Sequence, residues 1–452
     1  MAATQSAVDV TAFIDHHRVS PFQAFIVVLC FLIVAIDGFD TAAIGFIAPA
    51  LHTEWNLQPA QLAPVFGAGL AGLMLGALVF GPFGDRVGRK RLLLACVAVF
   101  GLASLASAWS PSLTWLLALR FLTGLGLGGA MPNAITLTSE YCPAARRSFL
   151  VTTMFCGFTI GSALGGFAAA ALIDLAGWRS VLLTGGIAPL ALLPLLAWQL
   201  PESVRFLASR GNHAPRIART LARIAPGTDF TGVAFRIAAP TTALGGSTVR
   251  GLFRPELRRG TLFMWLAFFM SLLVIYLLSS WLPTLLRSTG ATLRTAALVT
   301  AMFQVGGTLG AIALGWLMDR INPHYVLGAS YAAAGVFTAL IGSFAAEPWA
   351  AAVAVFCAGF CVSGSQVGAN ALSAAYYPTD CRATGVSWAN GVGRLGSVLG
   401  SMAGGAMLSM GLSMAALFML VGIPAVIAGA SMVAMGRWRA QQVVAAAPAL
   451  QS

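Results

Sequence analysis

Charge is what this chain has least of. Only 9% of its 452 residues are charged, against roughly 25% in an ordinary soluble domain. Lysine is nearly missing: Lys90 is the one example, and it follows Arg89, so no Gly-Lys pair of the Walker A type exists and ATP is disfavoured as a direct energy source. No HExxH pattern or clustered His and Cys points to a metal, and no catalytic constellation points to an enzyme. The seven cysteines are dispersed without a CxxC pair; Cys357 and Cys361, one helical turn apart, read as small buried thiols rather than a disulfide or a metal site. No cofactor is expected. Met1–Ser20 is polar, carries Asp9 and Asp15 and has no apolar core, so no cleavable signal is expected there. Strand-like alternation is missing too, which argues against a membrane barrel.

What is present is apolar length. With 58% hydrophobic residues and about 20 residues needed to cross a bilayer as a helix, spans are predicted near 22–48, 61–83, 92–110, 112–137, 148–173 and 179–200, then near 259–284, 296–318, 324–344, 348–373, 383–409 and 412–435. The predicted fold is an all-α membrane protein of twelve transmembrane helices in two groups of six: a tail over 1–21, a bundle over 22–200, a central loop over 201–258, a second bundle over 259–436 and a tail over 437–452.

The net charge of +12 would hint at nucleic acid in a soluble domain. Here the basic residues sit in alternate connections: Arg86, Arg89, Lys90 and Arg91; Arg146 and Arg147; a run from Arg205 to Arg259; Arg320; Arg382; Arg437 and Arg439. That bias predicts cytoplasmic termini and a cytoplasmic central loop, with no nucleic-acid role. Within the loop, Arg216, Arg219 and Arg223 alternate with Ile217, Leu221 and Ile224, consistent with a short helix resting on anionic lipid or with a solvated tether.

The halves repeat. Gly81-Pro82-Phe83-Gly84-Asp85-Arg86 closes the second span and Gly315-Trp316-Leu317-Met318-Asp319-Arg320 the eighth, 234 residues on; Tyr141-Cys142-Pro143 with Arg147 is matched by Tyr376-Tyr377-Pro378 with Arg382, 235 residues on. Two matches at nearly one offset imply duplicated six-helix bundles flanking a central pathway.

The first span holds Asp37-Gly38-Phe39-Asp40. A carboxylate at the centre of a lipid-facing helix costs about 2.5–3.5 kcal/mol, so both should face protein or water. Three residues apart, they share a helix face, and two nearby carboxylates hinder each other's ionisation, which suits proton uptake and release. Arg120 lies mid-span, keeps its charge and needs an anion, either an Asp or a substrate carboxylate. A static structural ion pair is the alternative. The pattern Gly124-x-Gly126-x-x-Gly129 follows no strand and reads as close helix packing rather than a dinucleotide loop.

Gly81-x-x-x-Asp85-Arg86-x-Gly88-Arg89-Lys90-Arg91 resembles the signature of the major facilitator superfamily between its second and third helices; Arg120-x-x-x-Gly124-x-Gly126-x-Gly128-Gly129 and Pro201-Glu202-Ser203-Val204-Arg205-Phe206-Leu207 are similar to two further motifs of that superfamily. Asp37-Gly38-Phe39-Asp40 with Gly45 and Pro49 resembles the signature of its aromatic acid:proton symporters, as do Ser280-Trp281-Leu282-Pro283-Thr284 and Arg382-Ala383-Thr384-Gly385-Val386-Ser387-Trp388. The resemblance implies proton-coupled import of an aromatic acid, 4-hydroxybenzoate or protocatechuate first, with benzoate, gentisate, vanillate and hydroxyphenylpropionate as alternatives. The fifth span lacks the proline of the antiporter motif, which favours symport over efflux.

The expected roles follow. Asp37, Asp40 and Arg120 couple the proton and, with Arg394, Asn390, Tyr276 and Trp281, contact the substrate. Phe39, Phe303 and Trp388 are further ring candidates, and Gln304, Asn133 and Asn370 further hydrogen bonders. Asp85, Arg86, Arg89, Glu140, Asp319, Arg320, His324 and Arg382 are expected to gate the pathway, His324 alternatively as a structural hydrogen bonder. The partners expected are a small aromatic carboxylate, protons and the bilayer, for a monomer in a bacterial inner membrane.

Overall fold

A computed structural model describes residues 7–210, 213–228, 230, 233–236, 249–378 and 381–446. Two short strands and fifteen α-helices occur among them. The chain begins with β1 (Ala7–Asp9) and α1 (Val10–His16), then six long helices: α2 (Pro21–Glu54), α3 (Pro59–Val87), α4 (Arg89–Ser107), α5 (Leu113–Tyr141), α6 (Arg147–Ala176) and α7 (Arg179–Gln199). The middle of the chain forms α8 (Val204–Ser209), α9 (Ala214–Ile224) and β2 (Ala234–Arg236). Six more long helices follow: α10 (Pro255–Ser288), α11 (Leu293–Met318), α12 (Pro323–Phe344), α13 (Pro348–Tyr376), α14 (Arg382–Ser409) and α15 (Met414–Ala446).

Eleven of the twelve long helices are apolar and long enough to cross a membrane. The twelfth, α14, falls short because Asn390, Arg394 and its many Gly and Ser residues dilute a 28-residue helix. Local chemistry sets several helix starts. Ser112 accepts from Trp115 N–H at 3.4 Å to begin α5, Thr292 accepts from Thr295 N–H at 3.1 Å to begin α11, and Asn322 caps α12 with Pro323 in its first turn. Before α4, Gly88 adopts φ +105°, where a side chain is disfavoured and none is available to cap. Glu202 reaches in from the far side of the chain instead and accepts the Lys90 N–H at 3.0 Å.

Helix pairing repeats between the two sequence halves. In the second, α10 packs on α14, α11 on α13 and α12 on α15. In the first, Gly161 of α6 lies against Ala35 of α2, Gly128 of α5 against Leu73 of α3, and Gly186 of α7 against Leu105 of α4. The backbones touch at these crossings: a Cβ on Gly161 would overlap the Ala35 carbonyl, and one on Gly400 the Leu273 carbonyl. Small residues at crossings are how membrane helices gain packing where lipid supplies no hydrophobic drive.

By contact, the described parts of Met1–Thr41, Ala71–Gly161 and Leu182–Leu244 form one compact unit, and those of Ala42–Leu70, Ser162–Val181 and Gly245–Ser452 a second. The division cuts α2 after Thr41, one residue beyond Asp40. The remainder of α2 and the start of α3 pack within the second unit: Gly45 sits on the Ser279 carbonyl, Phe66 meets Trp281 edge-on at 5.0 Å, and a Cβ on Gly405 would lie 3.0 Å from the Ala63 Cβ.

The segments expected as tail and loop are folded onto the first unit. β1 pairs in parallel with β2, Asp9 caps α1, and Val10 and Ile14 are buried. The apolar side of α9, Ile217, Leu221 and Ile224, joins the core continuous with Phe22 and Ile26 of α2. It faces neither lipid nor water, because the chain's own residues cover it; Arg216, Arg219 and Arg223 stay exposed, the last over the Phe22 ring at 3.8 Å. Asp15 ties this cap to the α5–α6 connection, accepting from the Ala144 N–H at 2.7 Å and pairing with Arg147 at 3.2 Å.

Candidate functional site

In the first unit, α2 delivers Asp37 and Asp40 to a fully enclosed position, 1% and 2% exposed. Gly38 lets this happen: a Cβ there would overlap the Phe158 carbonyl of α6, so the helices meet backbone to backbone beside the acids. Asp40 Oδ2 accepts from Arg120 Nη1 of α5 at 3.1 Å, with Arg120 itself 3% exposed. Asp40 Oδ1 accepts from the Ser104 hydroxyl of α4.

Three hydroxyls surround the other end of the guanidinium. Arg120 Nη2 lies 3.2 Å from Ser104 Oγ, 3.4 Å from Ser107 Oγ and 3.3 Å from Thr123 Oγ1. Each has its own hydrogen engaged elsewhere: Ser104 on Asp40, Ser107 on the Ala103 carbonyl at 2.8 Å, and Thr123 on the Leu119 carbonyl at 2.8 Å. All three therefore present lone pairs to the cation. Arg120 Nε has no partner among the described residues. Beside the acid, α7 brings Gly185, where a Cβ would lie 3.1 Å from Asp40 Oδ1. One turn earlier on α2, Asp37 Oδ1 accepts from Thr41 Oγ1 at 3.2 Å. Breaking a buried pair by removing one member costs about 3–5 kcal/mol, so the arrangement is stable only while both charges, or neither, are present.

A second cluster lies at one end of the first unit. Arg89 Nε pairs with Glu140 at 3.1 Å, and Glu140 also accepts from the Ser203 hydroxyl. Tyr141 donates to the Glu202 carbonyl at 2.7 Å, and Arg210 donates to the Arg86 carbonyl at 2.6 Å. The basic signature after α3 is thus bound to the Pro201–Leu207 motif after α7. The side chains of Asp85 and Arg382 lie outside the described residues.

In the second unit, half-buried Arg394 of α14 donates from Nη1 to the Tyr276 hydroxyl of α10 at 2.9 Å. Asn390, one turn before, donates to Asn370 Oδ1 at 3.2 Å and to the Val386 carbonyl at 3.0 Å. Trp281 is fully buried, donates to the Ser401 carbonyl at 2.6 Å and packs over Gly404, a helix-junction environment. Phe303 is buried against Gly359, and Trp388 stacks on Trp265 at 5.8 Å. Gln304 reaches Ser279 Oγ at 3.4 Å. In the first unit, Asn133 donates to the Gly129 carbonyl at 2.8 Å, while Phe39 approaches Gly185 beside Asp40.

The expected gates of the second half stand around the α11–α12 connection. Asp319 is exposed at the C-cap of α11, Arg320 lies over the Trp316 ring at 3.6 Å, and His324 is buried with Nδ1 3.0 Å from Asn322 Oδ1. Sequence reasoning passed over Ser104, Ser107 and Thr123. The available signal was spacing: Ser104 and Ser107 share a face of α4, and Thr123 follows Arg120 by one turn.

A sequence profile of the Major Facilitator Superfamily matches residues 30–290 and 264–449. The chain belongs to that superfamily. Its gene product is therefore a multi-pass membrane transporter rather than an enzyme, with the major facilitator fold of two pseudo-symmetric six-helix bundles. Among curated relatives, the chain is 50% identical over 432 residues to the gallate transporter of Pseudomonas putida, covering 96% of each. It is 49% identical over 428 residues to the 4-hydroxybenzoate transporter PcaK of Pseudomonas aeruginosa, covering 95% of this chain and 96% of the relative. Among solved structures, a bacterial homologue of the human lysosomal transporter Spinster, inward-facing and occupied, superposes with a TM-score of 0.73 at 17% identity over 92% of this chain and 97% of that one. This last likeness concerns the fold alone.

Proposed function

We propose that this transporter is a proton-coupled symporter that imports a hydroxylated benzoate across a bacterial inner membrane by alternating access. The observation that carries the reading is the enclosed Asp40–Arg120 pair with Asp37 one turn away. Protonation of Asp40 removes the carboxylate that, among the described residues, the hydrogen bonds around Arg120 engage, and the guanidinium becomes available to a substrate carboxylate. The bound anion in turn stabilises the protonated acid, so proton and substrate favour each other's binding. Within the second unit, Arg394, donating to the Tyr276 hydroxyl one turn after Asn390, supplies a permanent positive charge that attracts an anionic substrate. The Arg89–Glu140–Ser203 cluster acts as a gate whose ion pair forms in one state and opens in the other.

The two similar transporters support the substrate class: gallate and 4-hydroxybenzoate are both benzoates bearing ring hydroxyls. 4-Hydroxybenzoate and protocatechuate remain the first substrates to try, and gallate joins them. The basic connections support cytoplasmic termini. One proton per monoanion would make transport electroneutral; each further proton would gain about 2.3 kcal/mol per 100 mV.

The test is uptake of labelled 4-hydroxybenzoate, protocatechuate and gallate by cells expressing the protein, across external pH and with a protonophore. Acid-stimulated accumulation that collapses with the protonophore is the expected result. Accumulation indifferent to the proton gradient would overturn the coupling, and exclusion of substrate from the cells would reverse the direction.

A further inference from the structure

Ser104 has a place that no other side chain among the described residues shares. Its hydroxyl donates to Asp40 and accepts from Arg120 at 3.2 Å, so one oxygen touches both members of the buried pair. It is completely buried on α4, whereas the acid is on α2 and the cation on α5. Ser107 and Thr123 touch the guanidinium only, and their hydrogens are held by carbonyls of their own helices. Ser104 alone has its hydrogen committed to the acid.

We propose that Ser104 is the positioning residue that couples the protonation of Asp40 to the release of Arg120, which deepens the symport reading above and rests on it. With Asp40 ionised, the hydroxyl donates to the carboxylate and its lone pairs face Arg120. When Asp40 takes a proton from water, the new acid O–H becomes a donor and Ser104 the natural acceptor. Its oxygen then has one lone pair fewer for the guanidinium, and its own hydrogen turns away from the acid. No covalent bond other than that to the transferred proton changes. The hydrogen-bond direction inverts, and Arg120 loses its carboxylate and part of its nearest neutral acceptor in the same event. Ser107 and Thr123 remain as a fixed rest for the cation.

Among the described residues, the one cation hydrogen-bonded here is Arg120 of α5, and Asp37 lies one turn back on α2; α4 contributes Ser104 and Ser107, α7 brings Gly185 beside Asp40, and α6 brings the Phe158 backbone against Gly38. A hydroxyl is the right group here, because a carboxylate would add a second negative charge and an amide would hold donor and acceptor on separate atoms.

The experiment compares two transport modes in right-side-out membrane vesicles. Proton-driven accumulation requires coupling, whereas exchange of labelled for unlabelled 4-hydroxybenzoate at equal concentrations requires only binding and the conformational cycle. Ser104→Ala, and the nearly isosteric Ser104→Cys whose thiol bonds weakly, should lose at least about tenfold in accumulation but no more than about threefold in exchange. Ser104→Thr, which keeps the hydroxyl, should accumulate at least half as much as wild type. Cysteine preserves volume, so the test stands even if the alanine protein folds poorly. Wild-type accumulation in both Ser104→Ala and Ser104→Cys would overturn the proposal. So would equal loss of accumulation and exchange in Ser104→Cys, or a Thr variant as impaired as the Cys one. If wild-type vesicles exchange substrate yet ignore the proton gradient, the symport reading itself fails, and the proposal falls with it through a separate, identifiable result.

Discussion

The two halves of this transporter hold charge differently. Within the first six spans the sequence places both signs at mid-membrane depth, Asp37 and Asp40 with Arg120. From residue 259 to 436 every acidic residue, Asp319, Glu347 and Asp380, falls in a connection, while Arg394 lies mid-helix. Arg120 is enclosed with a carboxylate and three hydroxyls, and Arg394 is half-buried against a phenol. One duplicated architecture thus carries titratable acids beside its cation in one half and, within the spans of the other, a cation without an acid. On the symport proposal, proton sensing would belong to the first half and a constant attraction for an anion to the second.

The largest test of this contrast is Arg120→Ala. It leaves Asp40 buried beside neutral hydroxyls, so accumulation should fall at least about 100-fold, and the solubilised protein should lose about 3–5 kcal/mol of stability. Adding Asp40→Asn should restore much of the thermal midpoint without restoring accumulation. Full uptake by Arg120→Ala would break the comparison at its first term.

Next in size is a cross-link between the start of α3 and the end of α14. Ala63→Cys with Gly405→Cys, in a background free of native cysteine, places thiols where the Cβ atoms nearly touch. Oxidation should cut uptake at least about tenfold and reductant should restore it, if the helices around Trp281 separate during transport. Undiminished uptake by the oxidised protein would show that they stay together.

Arg394→Ala should have a smaller and different effect. The loss of one charge-assisted hydrogen bond, about 1.5–3 kcal/mol, corresponds to a rise in substrate KM of roughly tenfold to a hundredfold, with Arg394→Lys in between. The pH dependence of uptake should follow wild type, because the second half carries no titrating acid within its spans. A changed pH profile would mean that the halves share the proton switch.

The smallest effect is expected at the cap, which rests on the first unit. Asp15→Asn weakens a partly exposed pair, with side chains 34% and 28% exposed, and should cost no more than about 1 kcal/mol in thermal unfolding while leaving uptake near wild type.

Much of this was legible before any coordinates. The twelve spans follow from apolar runs, since a helix is the one open-ended way to satisfy backbone groups in lipid. α14, predicted near 383–409 with the rest, is less apolar than the other eleven, because Asn390, Arg394 and its Gly and Ser residues lower its hydropathy. The need of Arg120 for an anion follows from its fixed charge. The folded cap was not legible: β1 and β2 are three residues each and more than 220 residues apart, too short and too distant for periodicity to pair them.

The sequence by itself therefore determined that this is a helical membrane protein with two acids and an arginine sheltered in its first half, points that solvation energy decides from composition along the chain. Its motifs, recurring at one offset, added the repeat and the resemblance to transporters. Only the tertiary structure decided that Asp40 rather than Asp37 meets the Arg120 guanidinium, that Ser104 stands between them, and that Trp281 is locked in a helix junction. Those depend on the rotation and approach of helices whose crossings, such as Gly38 on Phe158 and Gly161 on Ala35, fix contacts to within an ångström. No spacing along one helix can specify which face of another it will meet.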